Sequence, residues 1–258
     1  MKKKSKDYII HSESAIAGIR VAAQAAATVK NQIAKMVRPG MSTKEIDNLA
    51  SALISSTGGR SAFLGYRGYP GQICISVNDE VVHGIGSERI VANGDLVSLD
   101  IGVNINGYIG DNAITVVVGD GGLSADVERL LEGTKEALQA GIDAALPGNK
   151  IRDISQAVQK IAKKLSLTIV QEYVGHGCGI KLHEPPEIPN YVTKKPGPTL
   201  RPGMVLAIEP MLNLGKRNVI TDKDGWTVRT KDGRLSAHFE HMVLITQQHP
   251  EILTWQKT

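Results

Sequence analysis

The chain has 258 residues, with 30 Lys and Arg against 26 Asp and Glu and a net charge of +4, long enough for one large domain or two small ones with a sizeable core. Hydrophobic residues make up 41% and charged residues 22%, which excludes disorder as the main state, and no apolar run approaches the roughly 18 residues of a membrane span. Only two cysteines occur, Cys74 and Cys178, in no C-x-x-C pair; this excludes a disulfide framework and a four-cysteine zinc site and makes a reducing cytoplasm the expected compartment.

The basic start, Met1-Lys2-Lys3-Lys4-Ser5-Lys6, imitates the head of an export signal. Asp7, His11, Glu13 and Arg20 then interrupt the apolar stretch that should follow, so no export signal is read. The tail, residues 1–7, reads as a solvated segment, with attraction to ribosomal RNA as the alternative. Aromatic residues total 4%, too few for a base-reading surface, so no sequence-specific nucleic-acid binding is expected.

Ile19, Ala22, Ala26, Val29, Ile33 and Met36 recur at three- and four-residue steps, the buried stripe of a long helix. Pro39-Gly40 stops it. Ser42-Thr43-Lys44-Glu45 has the form of a capping box, and Ile46, Leu49, Ala50, Leu53 and Ile54 continue as the stripe of a second helix, ended by Gly58-Gly59. Strand-like stretches follow at Ile73 to Val77 and Leu96 to Val118. A helical stretch then runs from about Val127 to Leu146 and stops at Pro147-Gly148. A further helix carries Ile151, Ile154, Val158, Ile161 and Leu165 on one face.

This layout repeats. A shift of 108 residues lays Pro39-Gly40 on Pro147-Gly148, Glu45 on Asp153 and Ile46 on Ile154. With one residue more, Gly94 to Asp100 lies on Gly203 to Glu209. The repeat predicts an α+β chain of two pseudo-symmetric helix-helix-sheet halves, roughly 12–120 and 121–250, in a single domain. A site between the halves would receive equivalent residues from both.

Asp100 and Glu209 are the acids that open this inference. Each interrupts an apolar strand, where an ionised group is costly unless paired or metal-bound. No Lys or Arg lies within eight residues of Asp100. Asn106-Gly107 signals a hairpin turn. With Ile105-Asn106 as the loop, Asp100 opposes Asp111 directly; with Asn106-Gly107, the two are diagonal neighbours. Both registers put both carboxylates on one face, about 4.5–8 Å apart. Such a pair needs a positive charge between its members, and metal binding is the reading adopted.

Two imidazoles, His176 and His183, stand in a glycine-rich run, Gly175 to Pro185, where backbone can approach a ligand. Near the end, Glu240 breaks the apolar strand of His238-Phe239-Glu240-His241. Asp100, Asp111, Glu209 and Glu240 carry four negative charges, which two divalent cations balance. Oxygen-rich, thiol-free ligation suits Mn²⁺, Fe²⁺ or Co²⁺ at least as well as Zn²⁺.

On Ser76-Val77-Asn78-Asp79-Glu80-Val81-Val82-His83-Gly84, Asp100 with Asp111, Gly175-His176-Gly177 through His183-Glu184, Gly203-Met204 through Glu209-Pro210, and Glu240-His241, the chain resembles the bacterial form of type I methionine aminopeptidases. The resemblance runs over essentially the whole length. It implies the pita-bread fold, with the two halves around a central curved antiparallel sheet. It implies a metal-dependent aminopeptidase that removes the initiator methionine from nascent chains or peptides when the second residue is small. Asp100 would chelate one metal, Asp111 and Glu240 would bridge both, and His176 and Glu209 would complete the other. His83 and His183 would act beside the scissile amide with Glu209 as proton carrier. Tyr66, Tyr69, Cys74, Leu182 and Trp226 would shape the methionine pocket. The alternatives are an X-Pro peptidase of the same fold and a catalytically silent binding module.

Three positions depart from the family pattern. Gly86 replaces the usual Pro after His-Gly-Ile. Asn112-Ala113-Ile114 after Asp111 is less polar than usual. Leu182 stands where a Phe commonly flanks the second His, which predicts extra space of roughly one or two methylenes, worth about 1–3 kcal/mol in discrimination.

Overall fold

The computed structural model describes residues 7–255; the basic run through Lys6, and with it the choice between a solvated tail and attraction to ribosomal RNA, lies outside them. In chain order come α1 (Glu13–Met36), α2 (Thr43–Ser56), β1 (Arg60–Ser61), β2 (Cys74–Val77), β3 (Glu80–Val82), β4 (Leu96–Ile105) and β5 (Tyr108–Val117). There follow α3 (Ala125–Asp143), α4 (Ile151–Lys164), β6 (Thr168–Ile169), β7 (Gly175–Gly177), β8 (Glu184–Ile188) and β9 (Val205–Ile208). The chain ends with β10 (Met211–Asn213), β11 (Val219–Thr221), β12 (Val228–Thr230), β13 (Ser236–His238), β14 (His241–Leu244) and β15 (Glu251–Ile252).

The helices begin where their caps dictate. The Ser12 hydroxyl accepts from the Ala15 amide ahead of α1. Ser42 and Glu45 form the reciprocal box predicted for α2, with the Ser42 amide donating to Glu45 Oε2 at 2.7 Å. In α1 the predicted stripe is buried from Ile19 to Ile33, while Met36 in the last turn is exposed. Ser124 caps α3, which starts two residues before Val127 and ends at Asp143, because Ala144 and Ala145 already turn toward Pro147. In α2, Leu49 and Leu53 are half-buried; Ile46 and Ile54 are fully buried.

Helices α1 and α2 pack over the β2–β4–β5 sheet, with Ile33, Ile46, Ile54, Leu99 and Ile101 in one apolar cluster. Helices α3 and α4 cover the second set of strands, where Leu130, Ile154, Val158, Leu206 and Ile208 form another. Each fully buried Leu or Ile contributes roughly 1.5–3 kcal/mol, so these two clusters hold the layers together.

Every strand pair is antiparallel. β4 lies between β2 and β5, with β1 also on the β2 side. The larger sheet runs β15–β14–β9–β7–β8. The correspondence between halves is topological as well as sequential: β4 is flanked by β2 and β5, and β9 by β7 and β14. The two sets meet at β5, where the Glu240 amide donates to Ala113 O at 3.1 Å and the His238 amide to Thr115 Oγ1 at 2.9 Å.

The β4–β5 hairpin adopts the second of the two predicted registers. Ile105 faces Tyr108 across an Asn106-Gly107 loop, whose residues have φ of 52° and 87°, as a type I′ turn requires. Asp100 then opposes Ala113 and Asp111 opposes Gly102. The two acids are diagonal neighbours on one face.

Candidate active site

Four carboxylates and one imidazole converge where the sheets meet. Asp100 projects from the middle of β4 and Asp111 from β5. Glu209 follows the end of β9, Glu240 sits between β13 and β14, and His176 is central in β7. Asp111, His176, Glu209 and Glu240 are buried. Asp100 Oδ1, Asp111 Oδ1 and Glu240 Oε1 are buried oxygens with no hydrogen-bond partner. Orphaned buried acceptors are rare in native proteins and need a ligand to explain them.

The electrostatics state the same need. Burial pushes the Asp100 carboxyl up to about 7, with a hydrogen bond from Cys74 opposing. Burial, then repulsion from Asp100, raises Asp111 well above the usual range. Glu209 is raised by burial and by Asp100 and Asp111. Glu240 is raised by burial and by the other three acids, while Lys30 opposes the shift. These acids repel protonless neighbours in a dry site, which positive charge would relieve.

His176 completes the set. Its Nδ1 lies 2.9 Å from Gly177 O, which a proton on Nδ1 satisfies, leaving the Nε2 lone pair directed at the acids. Nε2 is 3.3 Å from Glu209 Oε1 and 3.9 Å from Asp111 Oδ2. Burial, with His183 nearby, pushes the imidazole down to about 3, so it is neutral. A neutral ring oriented by a backbone carbonyl is how a histidine ligates a metal. Donor atoms of Asp111, His176 and Glu240 lie within 4.8 Å of one another. These three donors therefore fit a divalent cation.

Above this floor is a cavity of about 280 Å³. All twelve residues singled out from the sequence line it: the four acids and one imidazole of the floor, His83 and His183, and Tyr66, Tyr69, Cys74, Leu182 and Trp226. His183 Nδ1 lies 2.7 Å from the Tyr66 hydroxyl, and its ring centroid is 4.2 Å from that of His176. Burial, assisted by Arg67, pushes His183 down to about 4. His83 is also pushed to about 4, by burial and then His183. It sits at φ 62°, a strained backbone for a non-glycine residue and a common feature of functional sites. The Tyr69 hydroxyl lies 2.7 Å from Gly84 O and 3.1 Å from Ile73 O, bracing the turn behind His83. Arg229 pairs with Asp79, Glu80 and Asp222, and Arg89 with Glu80, tying β3 to β12 and hence His83 to Trp226.

The same cavity is lined by residues the sequence reading did not select, among them Phe63, Arg67, Val82, Glu172 and Tyr173. Phe63 and Leu182 share one apolar cluster with Tyr69 and Cys74. A ring from the segment after β1 thus supplies aromatic volume near the position where Leu182 lacks it. His238, two residues before Glu240, has its Nε2 3.8 Å from Glu209 Oε2. Lys30 on α1 is buried, and burial pushes it down to about 8 against the pull of Glu240. At Gly86 a Cβ would stand 2.8 Å from Asp47 Cβ, so the loop after His83 lies against α2 too closely for the family's usual proline without a shift.

Comparison with known proteins agrees with the geometry. Residues 17–247 match the model of metallopeptidase family M24. Methionine aminopeptidase 1 of Bacillus subtilis is 47% identical over 236 residues, covering 92% of this chain and 94% of the relative. Methionine aminopeptidase of Aquifex aeolicus is 46% identical over 254 residues, covering 95% and 98%. The crystal structure of methionine aminopeptidase from Thermotoga maritima superposes with a TM-score of 0.93 at 38% identity, covering 96% of this chain and all of that one. A prolidase from Pyrococcus furiosus reaches 0.77 at 24% identity and shares the fold, with this chain covering 66% of its length. The chain belongs to metallopeptidase family M24 and, within it, to the methionine aminopeptidases. The fold is the pita-bread fold. Among the described residues, no helix is long and apolar enough to cross a membrane.

Proposed function

We propose that this enzyme removes the initiator methionine from nascent chains or peptides with a small second residue, using two divalent cations. Asp100, Asp111, His176, Glu209 and Glu240 would hold them. Mn²⁺, Fe²⁺ and Co²⁺ suit the oxygen-rich set, and Zn²⁺ remains compatible. The observation that carries this reading is the cluster of buried carboxylates whose oxygens have no partner, beside a neutral imidazole aimed at them. The halves 12–120 and 121–250 act as one domain with the site between them, in the cytoplasm where initiator methionines emerge.

When bound, the cations supply a hydroxide nucleophile at neutral pH and a charge that holds the substrate's free α-amine. Glu209 takes the proton of the attacking water on its carboxylate and passes it toward the leaving nitrogen. His83 and His183 are neutral at physiological pH, because both are pushed down to about 4. They therefore act as hydrogen-bond donors to the developing oxyanion rather than as cations. With the Tyr66 hydroxyl donating to His183 Nδ1, the proton of that ring stands on Nε2, free to face the scissile carbonyl. Tyr66, Tyr69, Cys74, Leu182 and Trp226 would enclose the methionine side chain, whose polarizable sulfur suits aromatic walls.

The test is cleavage of Met-Ala-Ser against Ala-Pro-Ala, with metal content measured on the same sample. Methionine should be released only with divalent metal present, saturating near two ions per chain. Turnover unchanged after exhaustive chelation overturns the metal reading. Cleavage of Ala-Pro-Ala in preference to Met-Ala-Ser favours the X-Pro alternative, and no cleavage by fully loaded protein favours a silent binding module.

A further inference from the structure

His183 reaches the cavity from the six-residue loop that joins β7 to β8, and the segment ahead of α1 holds that loop. Glu184, the first residue of β8, accepts the Ile180 amide at 3.0 Å and the Lys181 amide at 2.8 Å, both on Oε1. Its Oε2 stands 3.1 Å from His11 Nε2, and both side chains are almost wholly buried, at 1% and 2% exposure. Neither of those two atoms has a hydrogen-bond partner among the described residues, so this ion-pair approach is what answers each of them in the buried site. Burial raises the Glu184 carboxyl, but His11 and the amides of Lys181 and Ile180 together outweigh it and hold the group below the usual range.

His11 is itself fixed. Its amide donates to Gly203 O at 2.8 Å, just before the Ser12 cap of α1. Its ring packs on Gly179, where a Cβ would lie 2.9 Å from the imidazole; only glycine allows that approach. Gly179 O in turn accepts the Ile109 amide of β5 at 2.7 Å. The loop carrying Leu182 and His183 is thereby gripped from the N-terminal segment, from β5 and from within.

We propose that His11 and Glu184 form a clamp by which the segment preceding α1 positions the His183 loop over the site. Neither residue lines the cavity, so both are positioning residues that act through His183. The inference rests on the aminopeptidase reading for its kinetic consequence, but the grip on the loop is independent of it. Loss of the clamp leaves Leu182 and His183 on a looser loop. Substrate binding through the opposite wall persists, while the oxyanion donor is misplaced; a misplacement of about 1 Å costs up to about 100-fold in rate.

The experiment compares full-length wild type with His11→Ala, His11→Gln and Glu251→Ala. The amide nitrogen of Gln reaches about as far as histidine Nε2, so Gln restores the donor. Glu251→Ala removes the exposed ion pair between Arg20 of α1 and Glu251 of β15 and loosens the same helix without touching the clamp. Amide exchange at residues 180 and 181 and the steady-state constants are read together, with metal content. His11→Ala should speed that exchange at least about tenfold and lower kcat about 10- to 100-fold with KM within about twofold. His11→Gln should recover most of both, and Glu251→Ala should change neither. Unchanged exchange in His11→Ala, an equal loss in Glu251→Ala, or no recovery with Gln overturns the clamp. If His11→Ala does not fold, Glu184→Gln is read for the same local exchange and the same kcat loss, and wild-type values there also overturn it. A wild type that releases no methionine defeats the aminopeptidase reading instead, while the exchange measurement still decides the grip.

Discussion

Glu209 stands one residue beyond β9, with Oε1 3.3 Å from His176 Nε2, and in the proposed mechanism one side chain is to hold metal and carry a proton. The amide of Glu209→Gln keeps the shape and coordinates weakly but accepts no proton. The fold should persist and kcat should fall by about 10²–10⁴, the usual weight of a general base; near-wild-type kcat at normal metal occupancy refutes the role. Phe63 changes the expectation for the methionine pocket. Leu182 alone predicts spare volume, but Phe63 lines the same cavity and is buried in the same cluster. Leu182→Phe should therefore overpack, costing about 1–3 kcal/mol, and lower kcat/KM for Met-Ala-Ser. Adding Phe63→Leu should restore much of it, a coupling read in a double-mutant cycle. Additive effects of the two substitutions would show that they do not share the pocket. The acids were legible because a charged residue inside an apolar strand has no benign local explanation. Phe63, His238 and Lys30 were not: an aromatic in a turn, a histidine on a short strand and a lysine on a helix gain meaning only from tertiary packing.

At the scale of elements, local chemistry was most legible where it is strongest. The Ser42–Glu45 box starts α2 as read, and Asn106-Gly107 sets the hairpin that aligns Asp100 with Asp111. Gly107 at φ 87° occupies a conformation that costs an L-residue roughly 1–2 kcal/mol. Gly107→Ala should lower Tm by about 2–8 °C for a chain of this size, checked by thermal unfolding, with metal content and kcat little changed because the turn is distant from the acids along the strands. An unchanged Tm means the turn is not the constraint on the register. The pairing of the three-residue strands β10 with β13 and of β12 with β3 was not legible. Such strands are too short to show a period, and their partners are set by the sheet they complete.

For the whole molecule, the repeat in sequence anticipated the matched strand arrangements, β4 between β2 and β5 and β9 between β7 and β14. Their meeting gathers like charge from both sets of strands in a buried site, and that makes stability, pH and metal one linked quantity. Asp100 is raised to about 7, and Asp111, Glu209 and Glu240 are raised well above the ordinary range. In the unfolded chain these groups titrate near 3.9 to 4.3. Between those values and the raised ones, the folded metal-free protein binds more protons than the unfolded chain. Stability from these groups is therefore fully present below about pH 4 and is lost as pH rises through each raised value, about 7 for Asp100. Divalent cations need the same carboxylates deprotonated, so binding must expel the protons that the metal-free site holds. Metal-free protein should lose more stability between pH 5 and 8 than protein saturated with Mn²⁺. Titration of Mn²⁺ at pH 6.5 should release about one proton or more per chain, read as a dependence of the calorimetric heat on the ionisation enthalpy of the buffer. Heats that are the same in every buffer would mean the acids are already ionised in the empty site. The charge balance that motivates a pair of cations would then have to be met by positive groups of the protein itself, of which the buried Lys30 near Glu240 is the nearest on α1.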